Sequence, residues 1–376
     1  MLRTLCGSVR VCTSQRALTG DPYHLSDSVS LTRTVSRQYW RLSKGPLSVW
    51  VAISAFPGYL VSTPWPVDPG TAVALLAGTF LTSASAQTMN QIIEKTRDAR
   101  MTRTKMRPLP SSQLTESQAK LFAISAFIGG TSLLTIGCQS PLAGIIAGTT
   151  AMLYAGIYTP MKTISGYNTH IGAVVGSMPV LIGYAAANVS LGSLSPWPLF
   201  LVQTLWQFPH FYALAWLHKE DYKRGGYQMF PMHDISGRAT SQMCAPYLGA
   251  LALLPGLSAS LQITSWMFAI SGLIPLGVWV KLGFFPFRAK PSRDTARNFF
   301  LHSLWYILCM YAAFTLHAIE TSEHDARKIL REKLLSFCLH DYIKNDILIP
   351  GDLCPIGTAG HMVTDRLGDE IAQTVA

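Results

Sequence analysis

Side chains that could hold a metal ion recur at regular spacing near residue 90. Asn90, Glu94 and Asp98 are four residues apart, so a helix would place all three along roughly one face. Two carboxylates at this spacing repel by roughly 0.2–0.5 kcal/mol, and the penalty grows at a low-dielectric membrane edge unless a cation lies between them. Oxygen ligands that include an amide suit Mg²⁺, which leaves room for phosphate oxygens.

Basic side chains follow these acids directly. Arginine and lysine are the usual donors to phosphate, and they occur at Arg100, Arg103, Lys105 and Arg107. Acids for a metal beside bases for an anion are typical of a diphosphate site. A solvated loop of mixed charge is the alternative interpretation of this segment alone.

Two further segments carry similar groups. One begins at Trp206, contains His210, and ends with Glu220 and Asp221, and the other is Tyr158-Thr-Pro-Met-Lys162. If the helices that precede these segments end on the same side of the protein, their acids and bases meet at one ligand. That arrangement favours a diphosphate site over a solvated loop.

The composition places the chain in a membrane. Of its 376 residues, 49% are hydrophobic and only 13% are charged, whereas soluble domains carry about 25% charged residues. Lipid must therefore cover much of the surface. The net charge of +10 would suit a nucleic acid, but no soluble domain is left to hold one, so no nucleic-acid partner is expected. The seven cysteines form no CxxC pair and are expected to be small core residues.

Apolar runs predict an all-α polytopic membrane protein with about nine transmembrane helices. The predicted spans are 47–66, 70–89, 121–137, 141–160, 170–188, 197–217, 244–262, 265–285 and 298–319. Every Lys and Arg between residues 45 and 320 follows an even-numbered span or lies at its edge. The positive-inside rule puts the N-terminus and these loops on the inner side, and the three polar segments lie on that same face.

The chain divides into three parts. Residues 1–42 are rich in Arg and Ser and poor in acids, which is typical of a mitochondrial transit peptide, with a disordered basic tail as the alternative. Residues 43–320 form the membrane domain, and residues 321–376 form a soluble tail of unknown role, whose 325–346 stretch has amphipathic helical spacing. These features predict a protein of the mitochondrial inner membrane, with its N-terminus and polar loops toward the matrix.

Three motifs in the polar segments are specific enough to indicate a family. They are Asn90-x-x-x-Glu94-x-x-x-Asp98 with the run Arg103-Thr-Lys105-Met-Arg107, then Tyr158-Thr-Pro-Met-Lys162, and then Trp206-Gln-Phe-Pro-His210-Phe with Glu220-Asp-Tyr-Lys-Arg-Gly-Gly-Tyr227. These motifs resemble those of the UbiA-type intramembrane prenyltransferases, in their heme O synthase form. The similarity covers about residues 42–318.

The resemblance implies a helical bundle with a central cavity, Mg²⁺ as the cofactor, and farnesyl diphosphate and heme b as substrates. In the reaction of that family the farnesyl group is joined to a vinyl group of heme b and water adds, so that heme O and diphosphate leave. Heme O is a step toward heme A for cytochrome c oxidase, which implies handover to the heme A-forming enzyme.

The resemblance also implies roles for individual residues. The catalytic and metal-binding set is Asn90, Glu94, Asp98 and Asp221. The diphosphate donors are Arg103, Lys105, Arg107 and Lys162. The residues implied to contact heme or to line the cavity are His210, Tyr158 and Tyr222. For His210, a packed histidine that bonds to a carbonyl is the alternative.

A few positions differ from the expected pattern. Gly225 stands four residues after Asp221, where other branches place a second Asp, which disfavours a prenyltransferase acting on a quinone precursor. Met106 and Thr163 stand where Asn and Arg are expected, and they would weaken anion binding modestly. Outside the enzyme class, the alternatives are a non-catalytic heme-handling scaffold and a transporter, which would place its acids near the bilayer midplane.

Overall fold

The computed structural model describes residues 35–64 and 66–319, and a long helix lies at each of the predicted spans. The bounds are α1 Gly45–Leu60, α2 Pro69–Ile93, α3 Glu116–Ser132, α4 Pro141–Leu153, α5 Asn168–Ala186, α6 Pro196–Leu217, α7 Arg238–Ser260, α8 Trp266–Trp279 and α9 Arg293–His317. Within these ranges no strand occurs, and the all-α prediction is confirmed. Residues 1–34 of the predicted leader, the tail from 321 and its 325–346 stretch lie outside the described residues.

Three of the helices continue through a π turn. α3 runs on through Leu133–Gly137, α4 through Tyr154–Tyr158 and Thr159–Met161, and α8 through Val280–Phe284 and Phe285–Ala289. A π turn widens the helix locally, re-aims the side chains that follow, and is frequent at functional sites. In α4 this turn is separated from Lys162 only by the single turn Thr159–Met161.

Seven of the long helices are long and apolar enough to cross a membrane, and among the described residues α1 and α6 are the two that fall short. α1 has 16 residues, which span ~24 Å, less than the ~30 Å hydrocarbon core. α6 carries the buried polar side chains of Gln203 and Gln207, which lower its mean hydropathy. The membrane-embedded bundle is therefore shown, and the count of about nine spans stays a prediction.

Local sequence sets where several helices begin. The Asp68 carboxylate caps α2 by accepting a hydrogen bond from Thr71 N at 2.7 Å, and Thr115 and Gln118 form a capping box at the start of α3. Such caps satisfy backbone N–H groups that have no partner within the helix. Proline occupies the first turn of α2, α4 and α6, where its missing N–H costs nothing.

The two halves of the bundle pack differently. An aromatic cluster fills the α6–α9 half, where the Trp279 ring lies on Phe299 with centroids 5.4 Å apart. The α1–α5 half is lined by small side chains such as Ala55, Ala143 and Ala185, which allow helix backbones to approach closely. α1 packs on α2 and α5, and α6 packs on α5, α7 and α9.

The contact between α1 and α5 should be sensitive to one added methyl group. A Cβ at Gly183 would overlap the carbonyl oxygen of Ala55 and come within 2.9 Å of Tyr59 N. Both obstacles are backbone atoms and cannot turn away, so Gly183→Ala should destabilise the protein by about 1–3 kcal/mol. The expected result is a lower thermal unfolding midpoint of the detergent-solubilised protein.

Gly249→Ala in α7 is the matched control, because a Cβ there meets no atom within 4 Å. Alanine also has the higher helix propensity, so this variant should unfold at or slightly above the wild-type temperature. Equal midpoints for both variants would contradict the close α1–α5 contact.

Candidate functional site

Asn90, Glu94 and Asp98 follow one continuous run of helical hydrogen bonds. α2 ends at Ile93, but Glu94 N donates to Asn90 O at 2.9 Å and Asp98 N donates to Glu94 O at 2.8 Å. The relative exposures of Asn90, Glu94 and Asp98 are 0%, 5% and 0%. Their spacing in the sequence therefore places them in successive turns at the buried end of α2.

Each of these three side chains contacts one basic group. The N–O distances are 2.7 Å for Lys44–Asn90, 3.0 Å for Lys162–Glu94 and 2.7 Å for Arg107–Asp98. Carboxylates at the end of a helix face the negative end of its dipole, and burial removes the water that would otherwise solvate them. A cation at each acid is the physical requirement for keeping it charged there.

The charges in this cluster shift one another's pKa. Burial alone would raise the pKa of Glu94, but the charges of Lys162 and Lys44 outweigh it and lower that pKa below its ordinary value. Burial also opposes the charge of Lys162, yet Tyr158 and Glu94 hold its pKa well above the usual range. At Asp98 burial prevails over the charge of Arg107 and raises the pKa. The Glu94–Lys162 pair is therefore fully ionised at neutral pH.

Asp98 keeps one carboxylate oxygen without a protein partner. Its Oδ2 accepts from Arg107, whereas Oδ1 is buried and has no hydrogen-bond partner. A buried acceptor left unpaired costs about 1–3 kcal/mol, and a cation would satisfy it. In the part of the chain that the structure describes, no group of three His, Cys, Asp or Glu side chains could hold a metal. The residues present fit Mg²⁺, which proteins bind through one or two carboxylates together with substrate phosphates.

The loop after α6 contacts the loop after α2. Asp221 lies in the short helix Lys219–Gly225, and its Oδ1 accepts from Thr102 N at 3.2 Å and from Arg224 Nη2 at 2.8 Å. Arg103 reaches across in the other direction, with its guanidinium carbon 5.6 Å from the centroid of the Tyr222 ring. Asp221 therefore lies against the basic loop that follows Asn90, Glu94 and Asp98.

The end of α4 joins these two loops. The Lys162 ammonium pairs with Glu94 and lies 4.6 Å from the centroid of the Tyr158 ring. The Lys162 carbonyl accepts from Gln228 N at 2.6 Å, and Gln228 belongs to the segment after α6. The three polar segments singled out in the sequence thus meet on one face of the bundle.

His210 lies apart from this cluster. Its Nδ1 is 2.7 Å from Ser303 Oγ in α9, and its ring lies 4.7 Å from that of Trp206 and 4.6 Å from that of Phe300. These contacts favour a packed histidine, bonded to a hydroxyl and not to a carbonyl.

Lys105 is exposed. A separate cleft of about 350 Å³ lies between α7 and α8, but its lining is apolar and carries no titratable group.

Two residues of the cluster escaped the sequence analysis. Lys44 holds a left-handed backbone conformation, φ 48° and ψ 52°, that directs its ammonium to Asn90, and burial together with the charge of Arg107 lowers its pKa. Burial and the charge of Glu94 raise the pKa of Tyr227. Lys44 directly precedes α1, where a lysine is indistinguishable from a topology residue, and Tyr227 closes the Gly-Gly-Tyr run without any spacing that indicates a role.

Removing the cation of the Glu94–Lys162 pair should destabilise the fold in a pH-dependent manner. The side chains of Lys162 and Glu94 are 12% and 6% exposed, and removal of one partner from a buried pair costs about 3–5 kcal/mol. Because the pKa of Glu94 is lowered in the native protein, this stabilisation is present above its ordinary value of 4.5 and is lost as the pH falls. The deficit of Lys162→Met in thermal unfolding should therefore be large at pH 7 and small at pH 4.

Two further variants isolate the charge. Lys162→Met combined with Glu94→Gln leaves no buried charge unpaired and should recover most of the lost stability. Lys95→Met breaks an exposed pair with Glu116 and should change stability by less than about 1 kcal/mol. A pH-independent deficit in the single Lys162 variant would contradict the charged pair.

Comparison with known proteins identifies the family. Residues 51–315 match the UbiA prenyltransferase family. The chain is 33% identical over 273 residues to a protoheme IX farnesyltransferase of Salinibacter ruber. The aligned region covers 72% of this chain and 94% of that protein. The chain is 36% identical over 271 residues to the mitochondrial protoheme IX farnesyltransferase of Homo sapiens, which covers 71% of this chain and 59% of that protein.

Solved structures show the same fold. A UbiA homolog from Aeropyrum pernix K1 superposes with a TM-score of 0.59 at 14% identity, over 71% of this chain and 96% of that chain. A UbiA homolog from Archaeoglobus fulgidus, bound to DMAPP and Mg²⁺, superposes with a TM-score of 0.54 at 15% identity, over 74% of this chain and 99% of that chain. By family match, identity and fold, the chain belongs to the UbiA prenyltransferase family.

Proposed function

We propose that this chain is a protoheme IX farnesyltransferase, or heme O synthase. It transfers the farnesyl group of farnesyl diphosphate to a vinyl group of heme b, and heme O and diphosphate leave. The relatives that are 33% and 36% identical carry this activity in their names. The motifs around Asp98, Lys162 and His210 support the same branch of the family.

The convergence of three loops at a buried set of acids and bases is the observation that carries the proposal. Lys162 from the end of α4 pairs with Glu94 at the end of α2, and Asp221 from the third loop accepts from Thr102 N. A diphosphate needs cationic donors, and a divalent metal needs oxygen ligands. This face supplies both within one connected network.

The basic residues would bind the diphosphate and stabilise its departure. Breaking an allylic C–O bond puts negative charge on the leaving group, and fixed donors in a low-dielectric site stabilise that charge. Those donors are Arg103, Lys105, Arg107 and Lys162. Mg²⁺, when held by the oxygens of Asn90, Glu94, Asp98 and Asp221, would supply further neutralisation of the same charge.

The bundle would hold the apolar parts of both substrates. A fifteen-carbon farnesyl chain and a heme macrocycle both need an apolar wall, which the helices provide below the polar face. Exclusion of water protects the reactive farnesyl group from premature hydrolysis. A new C–C bond then joins the farnesyl carbon to the heme vinyl group, and one water adds to balance the product. Contacts to heme or to the cavity wall are assigned to Tyr158 and Tyr222, whose ring centroids lie 4.6 Å from the Lys162 ammonium and 5.6 Å from the Arg103 guanidinium carbon.

The cellular setting follows from the same features. We infer a location of the chain in the mitochondrial inner membrane, which the mitochondrial relatives and the basic leader support. The positive-inside rule puts its N-terminus and the loops after α2, α4 and α6 in the matrix. Heme O, an apolar product, is handed over to the heme A-forming enzyme within that bilayer.

The proposal predicts a defined product and a defined loss. Purified protein with heme b, farnesyl diphosphate and Mg²⁺ should yield heme bearing one farnesyl group and one added water by mass spectrometry, and chelation of Mg²⁺ should stop the reaction. Asp98→Asn should lower the rate by at least about a hundredfold, because it removes charge from the metal-binding set.

Glu116→Gln is the matched control, since Glu116 is exposed on the same face and pairs with Lys95, and its rate should stay at the wild-type value. A parallel assay with a quinone precursor tests the alternative acceptor. Product from that acceptor alone would reassign the enzyme within its family. Absence of farnesylated heme from the wild type would point to a heme-handling scaffold, and a rate for Asp98→Asn equal to that of the wild type would contradict the role of the metal-binding set.

A further inference from the structure

The three residues proposed as the first metal ligands each have an oxygen that already accepts from a basic side chain. The pairs are Lys44 Nζ with Asn90 Oδ1, Lys162 Nζ with Glu94 Oε1 and Arg107 Nη1 with Asp98 Oδ2. Two of these bases, Lys162 and Arg107, are also among the four proposed donors to the diphosphate. The same cations therefore serve two sets of oxygens, those of the protein and those of the substrate.

Charge counting shows what this arrangement favours. Within these three pairs, three basic groups face two carboxylates, so the pairs carry one excess positive charge. Mg²⁺ alone would raise that excess in a medium where like charges repel strongly. A prenyl diphosphate carries at least the charge of a phosphate monoester, about −1.5 to −2 at pH 7, so it would overcompensate alone. Together, Mg²⁺ and the diphosphate bring the cluster close to neutrality.

We propose that Lys44, Lys162 and Arg107 are internal counter-ions that couple the binding of Mg²⁺ to the binding of the prenyl diphosphate. If the oxygens of Asn90, Glu94 and Asp98 held Mg²⁺, the ammonium and guanidinium groups released from them would be free to bind the diphosphate oxygens. Each ligand binds poorly without the other, because each alone leaves charge unpaired. This inference rests on the proposed function, since it assigns the same residues to metal and diphosphate.

Lys44 gives the cleanest access to this coupling. Its partner Asn90 is neutral, so removal of the ammonium leaves no buried carboxylate without a cation. The Asn90 amide stays anchored from its other end, where Nδ2 donates to Thr159 Oγ1 at 3.0 Å. A Lys44 variant should therefore fold, whereas loss of Lys162 or Arg107 would strand Glu94 or Asp98.

The test is a binding measurement on the full chain in lipid nanodiscs. Isothermal titration gives the dissociation constant for Mg²⁺ with and without inorganic pyrophosphate, after allowance for the complex that the two form in solution. In the wild type Mg²⁺ should bind at least tenfold more tightly when pyrophosphate is present, and pyrophosphate should gain the same factor from Mg²⁺. Equal affinity for Mg²⁺ in both conditions would overturn the inference.

Lys44→Met should move the two affinities in opposite directions. Mg²⁺ alone should bind about tenfold more tightly, because a competing charge has left its ligand oxygen, and pyrophosphate alone should bind about tenfold more weakly. Lys44→Gln keeps a donor for Asn90 but removes the charge, so it should behave like Lys44→Met. Lys95→Met, which removes an exposed lysine from the same face, should change neither affinity. A parallel loss of both affinities in the Lys44 variants would mean a structural role and would overturn the proposal.

Failure of the proposed function would look different. The titrations contain neither heme nor a farnesyl group, so coupled binding without any farnesylated heme would leave this inference standing and make the acceptor wrong. Farnesylated heme formed by a protein in which Mg²⁺ and pyrophosphate bind independently would leave the function standing and end the inference.

Discussion

The cost of burying charge at the edge of a bilayer governs the design of this protein. α2 ends at Ile93 beside the two buried acids, so the negative end of its dipole adds negative potential to their charges. That potential requires cations from the protein, and Lys44, Arg107 and Lys162 supply them. The polar cluster and the packing of the loops around it are consequences of the same requirement, whereas topology explains most of the other lysine and arginine residues on that side.

Much of this arrangement could be predicted from the sequence. It depends on the spacing of residues along a helix and on whether the number of membrane crossings between two loops is even. Apolar runs gave the helices, a spacing of four gave the shared face of Asn90, Glu94 and Asp98, and an even number of crossings put three loops on one side. Individual pairings could not be predicted. Arg107, and not Arg103, contacts Asp98 because of the path of a loop, which no local pattern sets. Lys44 was hidden among basic residues that topology alone explains.

Polar contacts between α4 and α2 fix the position of the end of α4, and with it Lys162, along the length of α2. Tyr154 OH donates to Gln87 Oε1 at 3.0 Å, and Thr159 Oγ1 both accepts from Asn90 and donates to the carbonyl of Tyr154. Buried hydrogen bonds of this kind contribute about 0.5–1.5 kcal/mol each and fix the register of two helices that apolar packing alone would let slide. The π turn of α4 lies within this contact, so Lys162 leaves the helix opposite Glu94.

At position 44 the backbone conformation favours glycine, whereas the polar cluster uses the ammonium group of lysine. Its left-handed conformation costs about 1–2 kcal/mol for a residue with a Cβ, and glycine would adopt it freely. A change to glycine would relieve that strain and remove an ammonium group from the cluster in the same step. Selection for stability alone would therefore drift toward glycine here, and screens for more robust variants of this protein would tend to weaken its polar face.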